Sequence, residues 1–322
     1  MKFKAWLAII GGVLPATLFA IVVFLALYSW PAMHFNGLGF VVRDTWNLGN
    51  LYADPISSHG TQIQPGATYG ILFLIVGTLL STLIALLIAV PVGVGAAIFL
   101  AEAVPDHLRT WISFFVELLM AIPSVVFGLW GYVVVIPFLG HHLFPFLVRT
   151  LGTVIPFFGE PGGSGYGLLT AGVVLSLMVV PVIAATLRDA LVNQPASLRE
   201  AALALGATRF EALWRVTLPG ARRTLIGATF LALGRALGET MAVLMVSGNA
   251  LNYLPHTIYD PISTMAAFIV SQLDSALQDP TGMAVRSLAE IALVLCIISI
   301  IINAIARLIL LFWGNVQRTM MA

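Results

Sequence analysis

SLREAALALGATRFEALWRVTLP, residues 197–219, is the stretch around which the rest of the chain can be organised. It carries the pattern hydroxyl-x-x-Glu twice, at Ser197–Glu200 and at Thr208–Glu211. In that pattern a Ser or Thr oxygen and a Glu three residues later satisfy the free N–H groups of a helix start, so each copy predicts the opening of a short helix. Leu198, Ala201, Ala202 and Leu205 recur at helical spacing and give the first helix one apolar face. Phe210, Leu213, Trp214 and, more weakly, Thr217 do the same for the second. Gly206 stands where the first helix must end, in the place of a left-handed cap, and Pro219 closes the second. The prediction is a compact knuckle of two short helices.

Both flanks of the knuckle are apolar. Of 322 residues, 60% are hydrophobic and only 9% charged, against roughly a quarter charged in a soluble domain. One soluble core cannot hide that much apolar surface, whereas lipid is itself an apolar solvent. Six stretches are long enough to cross about 30 Å of hydrocarbon at about 1.5 Å per residue. They run over 6–30, 69–100, 110–139, 167–187, 221–246 and 284–313. Pro91, Pro123, Pro137 and Pro181 predict kinks within them. Met1 to Lys4 ahead of the first stretch resemble the start of a secretory signal, but no small-residue cleavage site follows, so a retained helix is expected.

Six crossings place both termini on one side, and the basic residues choose which. Lys2, Lys4, Arg109, Arg188, Arg199, Arg209, Arg215, Arg222, Arg223, Arg307 and Arg318 share the face of the termini, eleven in all. Arg43, Arg149 and Arg286 make three on the other face, and Arg235 lies within a span. This excess marks the termini and the 188–223 loop as cytoplasmic. The outer segments 31–68, 140–166 and 247–283 are rich in Gly, Pro and Asn and carry no independent domain.

Within the fifth stretch, Arg235 and Glu239 stand four residues apart, which on a continuous helix puts them on one face and lets them pair. An unpaired charge there costs at least a few kcal/mol. Two readings stand: a bridge that fixes helix packing, or a charged element lining a pathway, with Arg235 the attractor for an anion. Gly234 and Gly238 form a small-xxx-small step suited to close helix approach. Glu117 and Glu290 read as packing or interfacial residues, and the six histidines have no evident set of metal-ligand partners. The lone Cys296 excludes a disulfide framework and a Cys-based zinc site. No metal or cofactor is expected.

Glu200-Ala201-Ala202, then Gly206, then Val216-x-Leu218-Pro219, resembles the "EAA" loop of ABC importer permeases. The resemblance implies an all-α integral membrane protein of type I importer permease fold, six transmembrane helices with a coupling helix between spans four and five. It makes Glu200, Ala201, Ala202, Gly206, Leu218 and Pro219 the residues of ATPase coupling. Gly234-Arg235-Ala-Leu-Gly-Glu239-Thr240-Met-Ala-Val, with Ser247-Gly248-Asn249 after it, is similar to phosphate-specific permeases of the PstC type. Ile84 to Glu102 and Ile122 to Gly128 resemble the same family, and the likeness covers roughly 69–318. It implies a substrate-pathway role for Arg235, Glu239 and Thr240. The implied assembly comprises a PstA-like second permease, two PstB-like ATPase subunits and an extracytoplasmic PstS-like phosphate-binding protein, at the bacterial inner membrane.

The expected organisation is residues 1–68 as a first helix and outer loop, and 69–322 as the permease domain. Lys2 and Lys4 are the only lysines, and neither follows a Gly-rich turn, so the chain has no ATPase P-loop and energy must come from another chain. It is therefore not expected to be an enzyme. The rival readings are a permease for sulfate or molybdate and a secondary transporter or channel.

Overall fold

A computed structural model describes the backbone of residues 2–58, 60–160 and 165–320, and the side chains among them except those of 2–10, 106 and 310–320. His59 and the side chains of Lys2, Lys4 and Arg318, which entered the histidine and charge readings, lie outside the described residues. The fold is a helical bundle. Helices α1 (Lys2–Asn36), α2 (Leu72–Ala103), α3 (Asp106–Ala121), α4 (Ser124–Thr150) and α5 (Leu168–Val192) form its first part. The knuckle follows as α6 (Ala196–Ala204) and α7 (209–220). Then come α8 (Arg222–Leu237), α9 (Met241–Val246), α10 (Met265–Ala276) and α11 (Met283–Met320).

Among the described residues, five helices are long and apolar enough to cross a membrane: Gly11–Asn36, Leu72–Ala103, Ser124–Thr150, Leu168–Val192 and Met283–Ile309. Two of the expected crossings are cut. The stretch 110–139 divides at Ile122 and Pro123, whose ψ angles of 128° and 140° are extended. A proline disfavours the helical conformation in the residue before it. Helix α3 is thereby separated from α4 and keeps an amphipathic character. Its Trp111, Phe115 and Leu118 are exposed, while Glu117 reaches the end of α5. The stretch 221–246 is cut at Gly238–Thr240.

Other prolines are absorbed inside helices by wide five-residue turns. These turns span Gly131–Val135 before Pro137, Leu139–Leu143 before Pro145 and Leu213–Thr217 before Pro219. Each is centred four residues ahead of its proline, on the carbonyl that would lose its N–H partner and meet the ring.

Helix α5 is buried along almost its whole length and is the centre of the bundle. Helix α2 lies along it at close range: a Cβ on Gly172 of α5 would stand 2.4 Å from Ile84 Cγ2. A second core joins the end of α1, the segment 40–71, α10 and the start of α11. In it Trp46 packs its ring against Tyr69 at 4.9 Å and Phe268 at 5.2 Å. Short antiparallel strand pairs, Trp46–Asn47 with Thr68–Tyr69 and Ile56–Ser58 with Thr61–Ile63, shape that segment. The Asn252 side chain accepts from Trp46 N–H and donates to its carbonyl at 3.1 Å, tying 247–283 to 31–68. Glu290 is buried and accepts from Asn36 at 2.8 Å, so it joins α11 to α1 as a packing residue.

Candidate functional site

The knuckle forms, with one of its two expected caps. Helix α6 starts at Ala196 behind Pro195, so Ser197 already lies inside the first turn and caps nothing. The proline sets the start because its fixed φ leads directly into a helix and it has no N–H to satisfy. The expected Ser197–Glu200 capping box is therefore absent. Thr208 does cap α7: its N–H donates to Glu211 Oε2 at 2.9 Å, and Glu211 N–H donates to Thr208 Oγ1 at 3.3 Å. The backbone N–H and then the hydroxyl of Thr208 hold the Glu211 carboxyl below its ordinary range.

Between the helices, Gly206 has φ +89°. Ala207 N–H reaches Ala202 O at 3.1 Å and Gly206 N–H reaches Leu203 O at 3.0 Å, the paired bonds of a Schellman cap. The expected apolar faces exist but do not turn into the chain. Leu205 is 90% exposed, Leu198, Phe210 and Trp214 are exposed, and the last two rings stack at 6.0 Å. Ala212 and Thr217 form the buried side instead. Glu200, Ala201 and Pro219 are exposed, with Ala202 and Leu218 half-buried. The helix passes through Pro219 and ends at Gly220.

The second constellation is the cut in the fifth crossing. Helix α8 stops at Leu237, Gly238 follows it, and α9 begins at Met241. Glu239 turns to the backbone: Oε1 accepts from Thr240 N–H at 3.2 Å and from Ala242 N–H at 3.4 Å. Thr240 Oγ1 donates to Gly238 O at 3.3 Å. Short polar side chains that compete for backbone groups, placed beside a glycine, give the chain an alternative to the helix. Arg235 and Glu239 consequently share no helix face, and no ion pair joins them among the described residues. The expected bridge is corrected on this point. Arg235 is exposed on the last turn of α8, where the helix dipole favours a cation. Among the described residues the Gly234–Gly238 step meets no other helix: a Cβ on Gly234 has nothing within 4 Å, and one on Gly238 meets only Gly234 O at 3.8 Å. Backbone that leaves the helix at membrane depth is tolerated where it is covered by protein or lines a water-filled cavity.

Among the described residues, two arginines make ion pairs toward the knuckle end, and their partners remote in sequence leave no local pattern. Arg188 meets Glu117 at 3.1 Å and also its neighbour Asp189. Arg199 meets Glu102 at 2.7 Å. At the opposite end, Asp260 accepts from Tyr253 Oη at 3.0 Å, His256 N–H at 2.7 Å, Thr257 N–H at 2.9 Å and Thr257 Oγ1 at 2.8 Å. Burial alone would raise its carboxyl, but these donors together hold it below the usual range. Among the described residues, no three of His, Cys, Asp or Glu gather as metal ligands.

Residues 89–312 match the family described as binding-protein-dependent transport system inner membrane component. The chain is 46% identical over 307 residues to the phosphate transport system permease protein PstC 1 of Mycobacterium tuberculosis, covering 94% of this chain and 90% of that one. It is 36% identical to the PstC permease of Pasteurella multocida, covering 91% and 88%. Its fold is similar to the inward-facing methionine ABC transporter MetNI, with a TM-score of 0.50 and 19% identity over 74% of this chain and 95% of that one. A bacterial ABC transporter that imports alginate has a TM-score of 0.50 and 18% identity, covering 73% and 78%.

Proposed function

The chain belongs to the binding-protein-dependent inner membrane components, as a permease subunit of an ABC importer, and from that premise we propose that it forms half of an ATP-driven pathway for inorganic phosphate. Its partners are a PstA-like permease, a PstB-like ATPase pair and a PstS-like binding protein. The termini and the 188–223 loop face the cytoplasm. Residues 69–322 are the permease domain, preceded by a first helix and outer loop in 1–68.

The observation that carries coupling is the knuckle's outward apolar face. Leu198, Leu205, Phe210 and Trp214 are exposed beside Glu200-Ala201-Ala202. Gly206 makes the turn between the two helices, and Leu218 and Pro219 lie in the last turn of the second, where it meets α8. Apolar side chains held outward on capped helices suit insertion into a cleft of another protein. The translocation role falls to Arg235, Glu239 and Thr240. Arg235 offers a cation with no acidic partner among the described residues at the helix break, while the carboxylate of Glu239 is occupied by backbone N–H groups. An anion passing that point meets the positive charge first.

Vesicles containing the full assembly should take up labelled phosphate only with ATP inside the ATPase compartment and with binding protein on the other face. Excess sulfate or molybdate should leave uptake unchanged. Equal competition by either anion, or uptake without ATP, would overturn the assignment. A tag in the 188–223 loop that is labelled from outside intact cells would overturn the topology.

A further inference from the structure

We propose that the Arg199–Glu102 ion pair is a coupling strut, a positioning pair that carries displacement of the knuckle into the end of α2. The proposal rests on the reading of 196–220 as the ATPase-docking element. Covalently, that element joins α5 before it and α8 after it. Helix α2 is remote in sequence, with Glu102 97 residues ahead of Arg199 (199 − 102), and its link to α6 is the 2.7 Å contact between Arg199 Nη1 and Glu102 Oε2. Arg199 directly precedes the Glu200-Ala201-Ala202 triplet, in the first turn of a helix that has no side-chain cap of its own. Any rotation of α6 therefore moves the guanidinium with it.

The receiving end is firm. Glu102 sits in the wide turn Phe99–Ala103 that ends α2. Arg109 grips this turn from α3, donating to Leu100 O at 3.0 Å, Ala101 O at 3.0 Å and Val104 O at 3.2 Å. Between α6 and α2 lies a cavity of about 220 Å³, lined among others by Glu102, Arg109, Gln194, Arg199 and Thr217. The charge pair thus joins the two elements beside this cavity. Helix α2 in turn lies along α5 and touches α8, the helix that carries Arg235.

The pair is partly exposed, the side chains of Arg199 and Glu102 being 40% and 20% exposed. Screening by the water that reaches such a pair keeps its contribution to stability modest. Its worth lies in fixing a distance between two elements that must move together. Loss should then appear as ATP hydrolysed without transport, with the subunit still inserted and assembled.

The test uses the reconstituted full assembly and reads phosphate imported per ATP hydrolysed, together with ATPase co-purification. Arg199→Glu and Glu102→Arg should each lower the ratio about fivefold or more, with co-purification unchanged, and the combined swap should recover it. Singles that keep the normal ratio overturn the strut, as does a swap that fails to recover, which would place Arg199 against the ATPase instead. If a reversal prevents insertion, Arg199→Gln and Glu102→Gln replace it. Their double variant should be no worse than either single, and additive losses overturn the proposal. Gly206→Val separates this idea from its premise. Normal coupled uptake by Gly206→Val defeats the docking reading itself, whereas uncoupling by Gly206→Val with full coupling in the Arg199 and Glu102 variants defeats the strut alone.

Discussion

Glycine is used in opposite ways on α5 and on α8. On α5, Gly172 is filled by its neighbour, since a Cβ there would stand 2.4 Å from Ile84 Cγ2 and 2.8 Å from Ile84 Cβ. On α8, Cβ atoms added at Gly227 and Gly234 would have nothing within 4 Å, and Leu231 beside them is 62% exposed. Both helices carry small residues at helical spacing. One seam is closed within the chain, while the other is left open along with Arg235. A permease that forms half of a pathway needs this asymmetry: one face sealed by its own helices, the other offered to its counterpart and to the substrate.

The largest expected effect is at the sealed seam. Gly172→Val places a branched side chain against the Cβ of Ile84, which cannot swing away as a side-chain tip can. Overpacking of this kind costs about 1–3 kcal/mol or more. Thermal unfolding of the purified subunit should shift down sharply, and an unshifted transition would mean the α2–α5 contact is looser than described.

On the open face, function should be lost without stability. Arg235→Gln removes a cation that has no acidic partner among the described residues, so the subunit should insert and unfold normally while phosphate uptake falls about tenfold or more, the equivalent of about 1.4 kcal/mol. Because Glu239 is held by backbone N–H groups, exchanging the two residues should not restore uptake. Full recovery by Arg235→Glu with Glu239→Arg would show that the two act as a pair. Gly234→Leu sharpens the contrast further. A leucine replaces a poor helix former, which stabilises the isolated helix by under about 1 kcal/mol, yet it should weaken association with the second permease. Co-purification of the two permeases measures this directly, and unchanged association would remove Gly234 from the interface.

The smallest effect concerns the knuckle, which repeats the contrast in miniature with Ala212 inward and Phe210 outward. The Glu211 carboxyl is lowered in the folded chain, chiefly by the Thr208 N–H and hydroxyl. Its contribution is therefore present above the unfolded carboxylate pKa and lost as pH falls through the folded value. Hydrogen exchange of the Thr208 and Glu211 amides, corrected for intrinsic rate, should lose protection in acid. Glu211→Gln should remove most of that dependence, and an identical acid response in the variant would assign it to another group.

Two copies of one motif show how far local pattern carries. Thr208-x-x-Glu211 forms its capping box and Ser197-x-x-Glu200 does not, because Pro195 starts α6 two residues early. The same limit applies to hydropathy along the spans. Counting apolar residues over 221–246 finds enough for a crossing, but a count cannot register that Glu239 satisfies Thr240 and Ala242 N–H better than it satisfies Arg235. Nor can it tell that Pro123 parts a helix while Pro137 is absorbed by a wide turn inside one.

The amino-acid sequence by itself determined the membrane class, the apolar spans, the placement of the knuckle and its left-handed glycine at 206. Each of these depends on composition or on residues within about five positions of one another, where backbone geometry leaves few alternatives. Only the tertiary structure decided which glycines are filled, which apolar faces stay open, and which charges meet. Arg188 finds Glu117 because α3 and α5 pack side by side, and Arg199 finds Glu102 because the fold brings the start of α6 back to the end of α2; contacts between distant segments leave no periodic trace along a single chain.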